Sequence, residues 1–235
     1  MKVLLKTSGM VMKVKEIGDN SRLLWILTED RGLIRAFDRG QTRKNFAATE
    51  QFCLSDFLLF RGRDSFKVNL AEVNEVFFDL RTDIITFSLA SYFCEVICNI
   101  MAQSGDSNQL LELLTCSLHL VAKKSKDVLL VKSVFELKIA CLLGFFPNLT
   151  GGTRYFSLQD GCLLQENKNC ISLSDDVLAA MSFIINLPIR RSFSFQLSSK
   201  NLCLLNNITE KYLINRLESN IKSLPFLKRF LSTKT

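Results

Sequence analysis

The stretch GLIRAFDRGQTRKN, residues 32–45, decides how the first third of the chain is read. Leu33, Arg35, Phe37 and Arg39 alternate with Ile34, Ala36 and Asp38, and an alternation of period two marks a half-buried strand. At Gly40 the run breaks into a polar loop carrying Arg43 and Lys44. A strand with guanidiniums on one face, opening into a basic loop, has one side for a core and another for something negatively charged.

Its neighbours follow the same pattern. MVMKVKEIG (10–18) alternates, the turn residues Gly18-Asp19-Asn20 lead into RLLWILTED, and QFCLSDFLLFRGR and FKVNLAEVNEVF supply two more runs parted near Gly62 and Asp64. Five short strands within about 80 residues suit a small antiparallel barrel, whose closure removes exposed edges. After Arg81 the spacing changes. Ile85, Leu89, Phe93, Val96 and Ile100 recur every three or four residues, as on a helix. SNQLLELLTCSLHLVAKK and DVLLVKSVFELKIACLLGF continue in that style, the latter stopping at Gly144 with Pro147 beyond. Residues 148–171 lose periodicity and read as a polar surface loop. Ser174 offers an N-cap for a helix running to Leu187, with acids at 175 and 176 in its first turn. From Ser198 to Leu231 the pattern gives a basic amphipathic helix or pair. The fold class expected is α+β, with a barrel domain over residues 1–80 and a helical domain over 81–235.

Composition narrows the function. Of 235 residues 48% are hydrophobic and 23% charged, a globular balance. The net charge of +7 is concentrated at the ends: residues 1–45 carry 10 cations and 5 anions, and residues 200–235 carry 7 and 2. Basic ends around a near-neutral middle favour a polyanionic partner. No leader segment stands out, and no apolar run approaches the ~20 residues of a membrane span, so a cytoplasmic protein is expected. The eight cysteines lie mostly in apolar segments, as packed free thiols do. His119 is the lone histidine and has no polar company at catalytic spacing; phosphate-loop, nucleophile-elbow and zinc-protease motifs are missing. No enzyme and no cofactor are suggested.

The order of segments resembles the RecO family of bacterial recombination mediators. The resemblance is carried by GMVMKVKEIGDNSRLLWILTEDRGLIRAFDRG, FLLFRGRDSFKVNLAEV, EVFFDLRTDIITFSLASYFCEV, VKSVFELKIACLLGFFPNL and YLINRLESNIKSLPFLKRF, in that order over essentially the whole chain. It implies an N-terminal five-stranded OB-fold barrel followed by an all-helical domain. It also implies a non-enzymatic protein that binds single- and double-stranded DNA and anneals complementary strands, including strands coated by single-strand binding protein (SSB). Partners implied are RecR, with which RecA is loaded in gap repair, and the acidic, apolar-ended SSB tail. Many members carry a zinc site of two Cys-x-x-Cys pairs in the insert. Here Thr150-Gly151-Gly152-Thr153 stands where the first pair would be, and Cys162 has no partner three residues on. The insert is therefore expected to be a zinc-finger-like loop that has lost its cysteine pairs, with no metal.

OB-folds hold single strands where cations track phosphates and aromatics stack on bases. The DNA-binding candidates are Arg35, Arg39, Arg43 and Lys44, extended by Lys13 and Lys15 on the first strand and by Arg61 and Arg63 at a later turn. Phe37 is expected in the core, because a small barrel needs its aromatics. For the SSB tail, Lys132 and Lys138 are expected to rim an apolar pocket containing Phe135 and Leu142. The alternative is a general OB-fold single-strand binder without mediator activity.

Overall fold

A computed structural model describes residues 4–18, 21–39, 46–63, 65–100, 107–165, 170–217 and 220–231. The chain forms two compact units, residues 1–112 with 221–235, and residues 113–220.

The first unit is built on five strands: β1 (Leu4–Ile17), β2 (Ser21–Thr28), β3 (Gly32–Arg39), β4 (Cys53–Arg61) and β5 (Phe66–Val76). They close in the order β1-β2-β3-β5-β4. β1 is longer than the sequence pattern suggests, because two partners share it. Its first half pairs with β4 from Leu4↔Phe60 to Met10↔Leu54, and its second half with β2 from Gly9↔Thr28 to Ile17↔Ser21. The barrel is not wholly antiparallel: β3 and β5 meet in parallel at Ala36↔Phe66 and Phe37↔Lys67. The long β3–β4 connection makes this possible, since it lets β4 cross to β1 and return β5 beside β3. Val11, Leu24, Ile26, Ile34, Ala36, Phe57, Leu59, Val68 and Ala71 fill the interior.

Gly9 marks the tightest backbone approach in the barrel. A Cβ there would stand 2.7 Å from the Leu27 carbonyl oxygen and 2.8 Å from Ile26 Cγ2. Gly9→Ala is therefore expected to destabilise the protein by about 1–3 kcal/mol, the cost of forcing volume into a packed site. Urea unfolding of the two forms measures this directly.

Two elements complete the unit. α1 (Ile84–Ile100) buries Leu89, Phe93, Val96 and Ile97, and the C-terminal helix, here α6 (Ser223–Leu231), packs on it. Between them in sequence lie α2 (Ser107–Ala122), which crosses the unit boundary, and the second unit proper. His119 is half-buried in the last turn of α2.

In the second unit α3 (Val128–Leu142) packs against α4 (Asp175–Asn186) and α5 (Ser199–Leu217). Ser174 caps α4 as its sequence suggests, accepting from Val177 N–H, and Asp127 caps α3 through Leu129 N–H. The insert is not a loop throughout. It holds a small sheet of β6 (Tyr155–Ser157), β7 (Cys162–Leu164) and β8 (Cys170–Ser172), ordered β7-β6-β8. Polar composition hid strands of three residues each, which are too short to show periodicity. Buried Phe156 pins the sheet against Tyr212 of α5, with ring centroids 5.7 Å apart. Cys162 and Cys170 both face Ser157, from opposite sides. Two strand spacings, about 10 Å, thus separate their Cα atoms, too far for a disulfide. All eight cysteines are free. Among the described residues no group of three or more Cys, His, Asp or Glu is placed to hold a metal ion.

Candidate nucleic-acid interface

The inner face of β3 buries Ile34, Ala36 and Asp38, and the outer face exposes Arg35, Phe37 and Arg39. A buried aspartate needs a partner. Arg22, directly opposite on β2, supplies it at 2.9 Å, and Thr49 donates to the same carboxylate at 3.0 Å. Arg22 also pairs with Glu50 at 2.8 Å, bonds Thr49 and lies over the Phe46 ring at 4.4 Å. This cluster ties the end of β3 to residues 46–50. Arg43 and Lys44 fall in the segment between these anchors, outside the described residues.

With Asp38 paired inward, Phe37 points outward and is 38% exposed. The expectation that it belongs to the core is thereby corrected: the interior positions of β3 are already taken by Ile34, Ala36 and Asp38. Strand register then aligns the outer side chains in rows. Lys13, Trp25 and Arg35 form one row across β1, β2 and β3. Lys15, Leu23 and Phe37 form the next, continued onto β5 by Lys67. Ile17, Ser21 and Arg39 form a third. The Lys13 ammonium sits 5.2 Å from the centre of the Trp25 ring, a cation–π distance. No residue of these rows is acidic. Among the described residues Lys15, Arg35, Arg39 and Lys67 have no ion-pair partner, whereas Arg22, Arg81 and Arg154 are all paired.

Two cations lie further along. Arg61 and Arg63 are exposed at the β4–β5 turn, closed by Gly62 N–H to the Ser65 carbonyl at 2.8 Å. The parallel β3–β5 contact begins at Ala36, so this turn runs alongside the Arg35 end of β3. The rows and the turn together make one face with two aromatics and seven cations, the composition that receives a sugar–phosphate backbone and unstacked bases. An open cleft of about 670 Å³ elsewhere in the unit is lined by Glu16, Glu50, Asp83 and Arg81, and its carboxylates repel phosphate.

Sequence reasoning missed Trp25 and Lys67. Trp25 sits in an apolar run whose face cannot be assigned without the β1–β2 register, and Lys67 joins only through the parallel contact.

The second candidate group does not form the pocket expected of it. Lys132 is fully buried, held at 2.7 Å by Glu136, 2.9 Å by Glu210 and 3.0 Å by Asn206. Lys138 is 6% exposed and donates to the Leu187 carbonyl at 2.5 Å; burial lowers its pKa, with the Cys141 thiol opposing. Phe135 is fully buried and Leu142 half-buried. The correction has a simple cause: α3 is covered on all sides from Leu130 to Cys141, so it has no solvated face for its lysines to rim.

The comparisons with known proteins agree along the chain. A family described as recombination protein O, N terminal, matches residues 1–77, and one described as recombination protein O, C terminal, matches residues 81–225. The chain is 30% identical over 241 residues to a DNA repair protein RecO of Acetivibrio thermocellus, covering 95% of this chain and 96% of that one. It is 28% identical to its counterpart in Symbiobacterium thermophilum over 98% and 99% of the two chains. With the Alkaliphilus metalliredigens protein of the same name it shares 34% over 151 residues, 63% and 61% of the two chains.

Proposed function

Because the chain belongs to the RecO family of DNA repair proteins, we propose that it is a recombination mediator that works without catalysis. It binds single- and double-stranded DNA, brings complementary strands together even when SSB coats them, and with RecR helps load RecA during gap repair. The nucleic-acid-binding domain of this reading is residues 1–80, and residues 81–235 serve protein partners, the SSB tail among them. The site of action is the cytoplasm, on the nucleoid; among the described residues no helix is long and apolar enough to cross a membrane.

The observation that supports this reading best is the row Lys15–Leu23–Phe37–Lys67, flanked by Lys13–Trp25–Arg35 above and Arg39 below. Annealing on such a face needs no bond chemistry and no cofactor. Cations neutralise two strands that repel each other, and the outward-facing rings hold bases unpaired until partners meet. Lys13, Lys15, Arg35, Arg39, Arg61 and Arg63, with Arg43 and Lys44 in the adjoining segment, are the residues assigned to phosphate.

The test is fluorescence-monitored annealing of complementary oligonucleotides coated with SSB. The wild type is expected to anneal them, and Lys15→Ala/Arg35→Ala/Arg39→Ala to be impaired while still folded. Removing three phosphate contacts should also flatten the dependence of log affinity on log salt by about 2, at roughly 0.7 per contact on single strands. A wild type that binds single strands but never anneals coated ones would leave only a general single-strand binder.

A further inference from the structure

α6 returns to the first unit with two unlike faces. Leu224 and Leu227 are buried, and Ile221 just before the helix is 4% exposed. Lys222, Phe226, Arg229 and Phe230 follow one another at i, i+4, i+7 and i+8 and so share the opposite face. Phe226 is 46% exposed and meets Phe230 edge to face, with centroids 4.8 Å apart. No acidic residue lies between 220 and 231. The helix is held at its start by Glu95 of α1, which accepts from the Lys222 and Ser223 N–H groups at 2.9 and 2.8 Å. Burial alone would raise the Glu95 pKa, but the hydrogen bonds from Ser223 and Lys222 outweigh it and lower it overall. Glu95 thus occupies the N–H groups at the entry to α6, and the Lys-Phe-Arg-Phe face is the side of the helix left toward solvent.

That face starts close to the barrel surface. α1, whose Glu95 holds the start of α6, also packs against β1, the strand that carries Lys13. β1, which carries Lys13, and α6 thus both adjoin α1. On both, cations alternate with rings, half-buried Trp25 in the row and exposed Phe226 with half-buried Phe230 on the helix.

We propose that α6 is a second single-strand contact of the first unit, with bases stacking on Phe226 and Phe230 and phosphates held by Lys222 and Arg229. The proposal rests on the barrel face being a single-strand interface and lengthens it. Charge decides for nucleic acid over an apolar partner surface: Lys222 and Arg229 stand among the rings, no acid lies between residues 220 and 231, and the Glu95 carboxylate near Lys222 is already engaged by two backbone N–H groups.

The experiment uses the full chain and two dye-labelled oligothymidylates, one of about 8 nucleotides, within the range a single OB-fold covers, and one of about 30. Phe226→Ala and Lys222→Glu/Arg229→Glu are each expected to weaken binding of the longer strand by roughly five- to a hundredfold. They should leave the shorter one almost unaffected. Arg35→Ala/Phe37→Ala should weaken both, and thermal melts should show all variants folded. If the α6 variants bind the longer strand like the wild type while the barrel variant is impaired, the α6 contact is overturned and the barrel reading stands. Intact DNA binding with loss of self-association, or of binding to an acidic, apolar-ended peptide, would overturn it equally and make α6 a protein-docking helix. A wild type that binds neither oligonucleotide removes both readings.

Discussion

Replacing Phe37 with alanine is expected to weaken binding of single-stranded DNA by about 1–3 kcal/mol, the worth of one base stacked on an aromatic side chain. That is a rise in Kd of roughly five- to a hundredfold. Stability should change little, since Phe37 is exposed and the β3 interior is filled without it. Phe37→Leu separates stacking from apolar contact: it keeps most of the volume but loses the π-face, so it should behave like the alanine variant. The measurement needs no label. Trp25 is the sole tryptophan of the sequence and lies one row from Phe37. Its fluorescence should be quenched on adding oligonucleotide and should recover as salt releases the strand. A Phe37→Ala variant that binds and quenches like the wild type would show that strands do not cross this face.

A larger effect, on stability rather than binding, is expected at Lys132. Its ammonium sits between the carboxylates of Glu136 and Glu210, all three almost wholly out of water, and Thr209 donates to Glu136 at 2.8 Å. Removing the cation alone leaves two buried carboxylates facing each other. Breaking a buried ion pair from one side typically costs 3–5 kcal/mol, a large share of the ~5–15 kcal/mol that holds a domain folded. Lys132→Met should therefore melt far below the wild type. Lys132→Met/Glu136→Gln/Glu210→Gln should recover much of the loss, because amides remove the facing negative charges while residue 136 still accepts from Thr209. If the single variant melts like the wild type, the three charges are not coupled as their distances imply.

The sequence made some features plain and concealed others for identifiable reasons. Alternation alone located all five barrel strands, because each has one wet and one dry side. Alternation also set Phe37 beside Arg35 and Arg39; the expectation that it belongs to the core came from the barrel's need for aromatics, a poor guide when the strand buries a charge instead. Asp38 can face inward only because Arg22, sixteen residues away, is paired with it. Arg35 and Arg39 were legible as solvent-facing cations, while Trp25 and Lys67 depended on register and on a parallel contact that no local pattern encodes. In α3 the failure ran the other way. Lysines in a helix normally suggest a solvated side, but Lys132 and Lys138 are six residues apart and so lie well around the helix from each other. Each found a separate buried partner, one in α5 and one at the end of α4.

The return of α6 to α1 also has a consequence in time. Residues 113–220 are synthesised between the two parts of the first unit. At the usual 5–20 residues per second of translation, about 6–25 s pass after α1 is complete at Ile100 before Leu224 and Leu227 exist to cover it. During that interval a newborn chain presents an uncovered apolar stripe on α1, a surface on which chaperones and proteases can act before the barrel's own unit is finished.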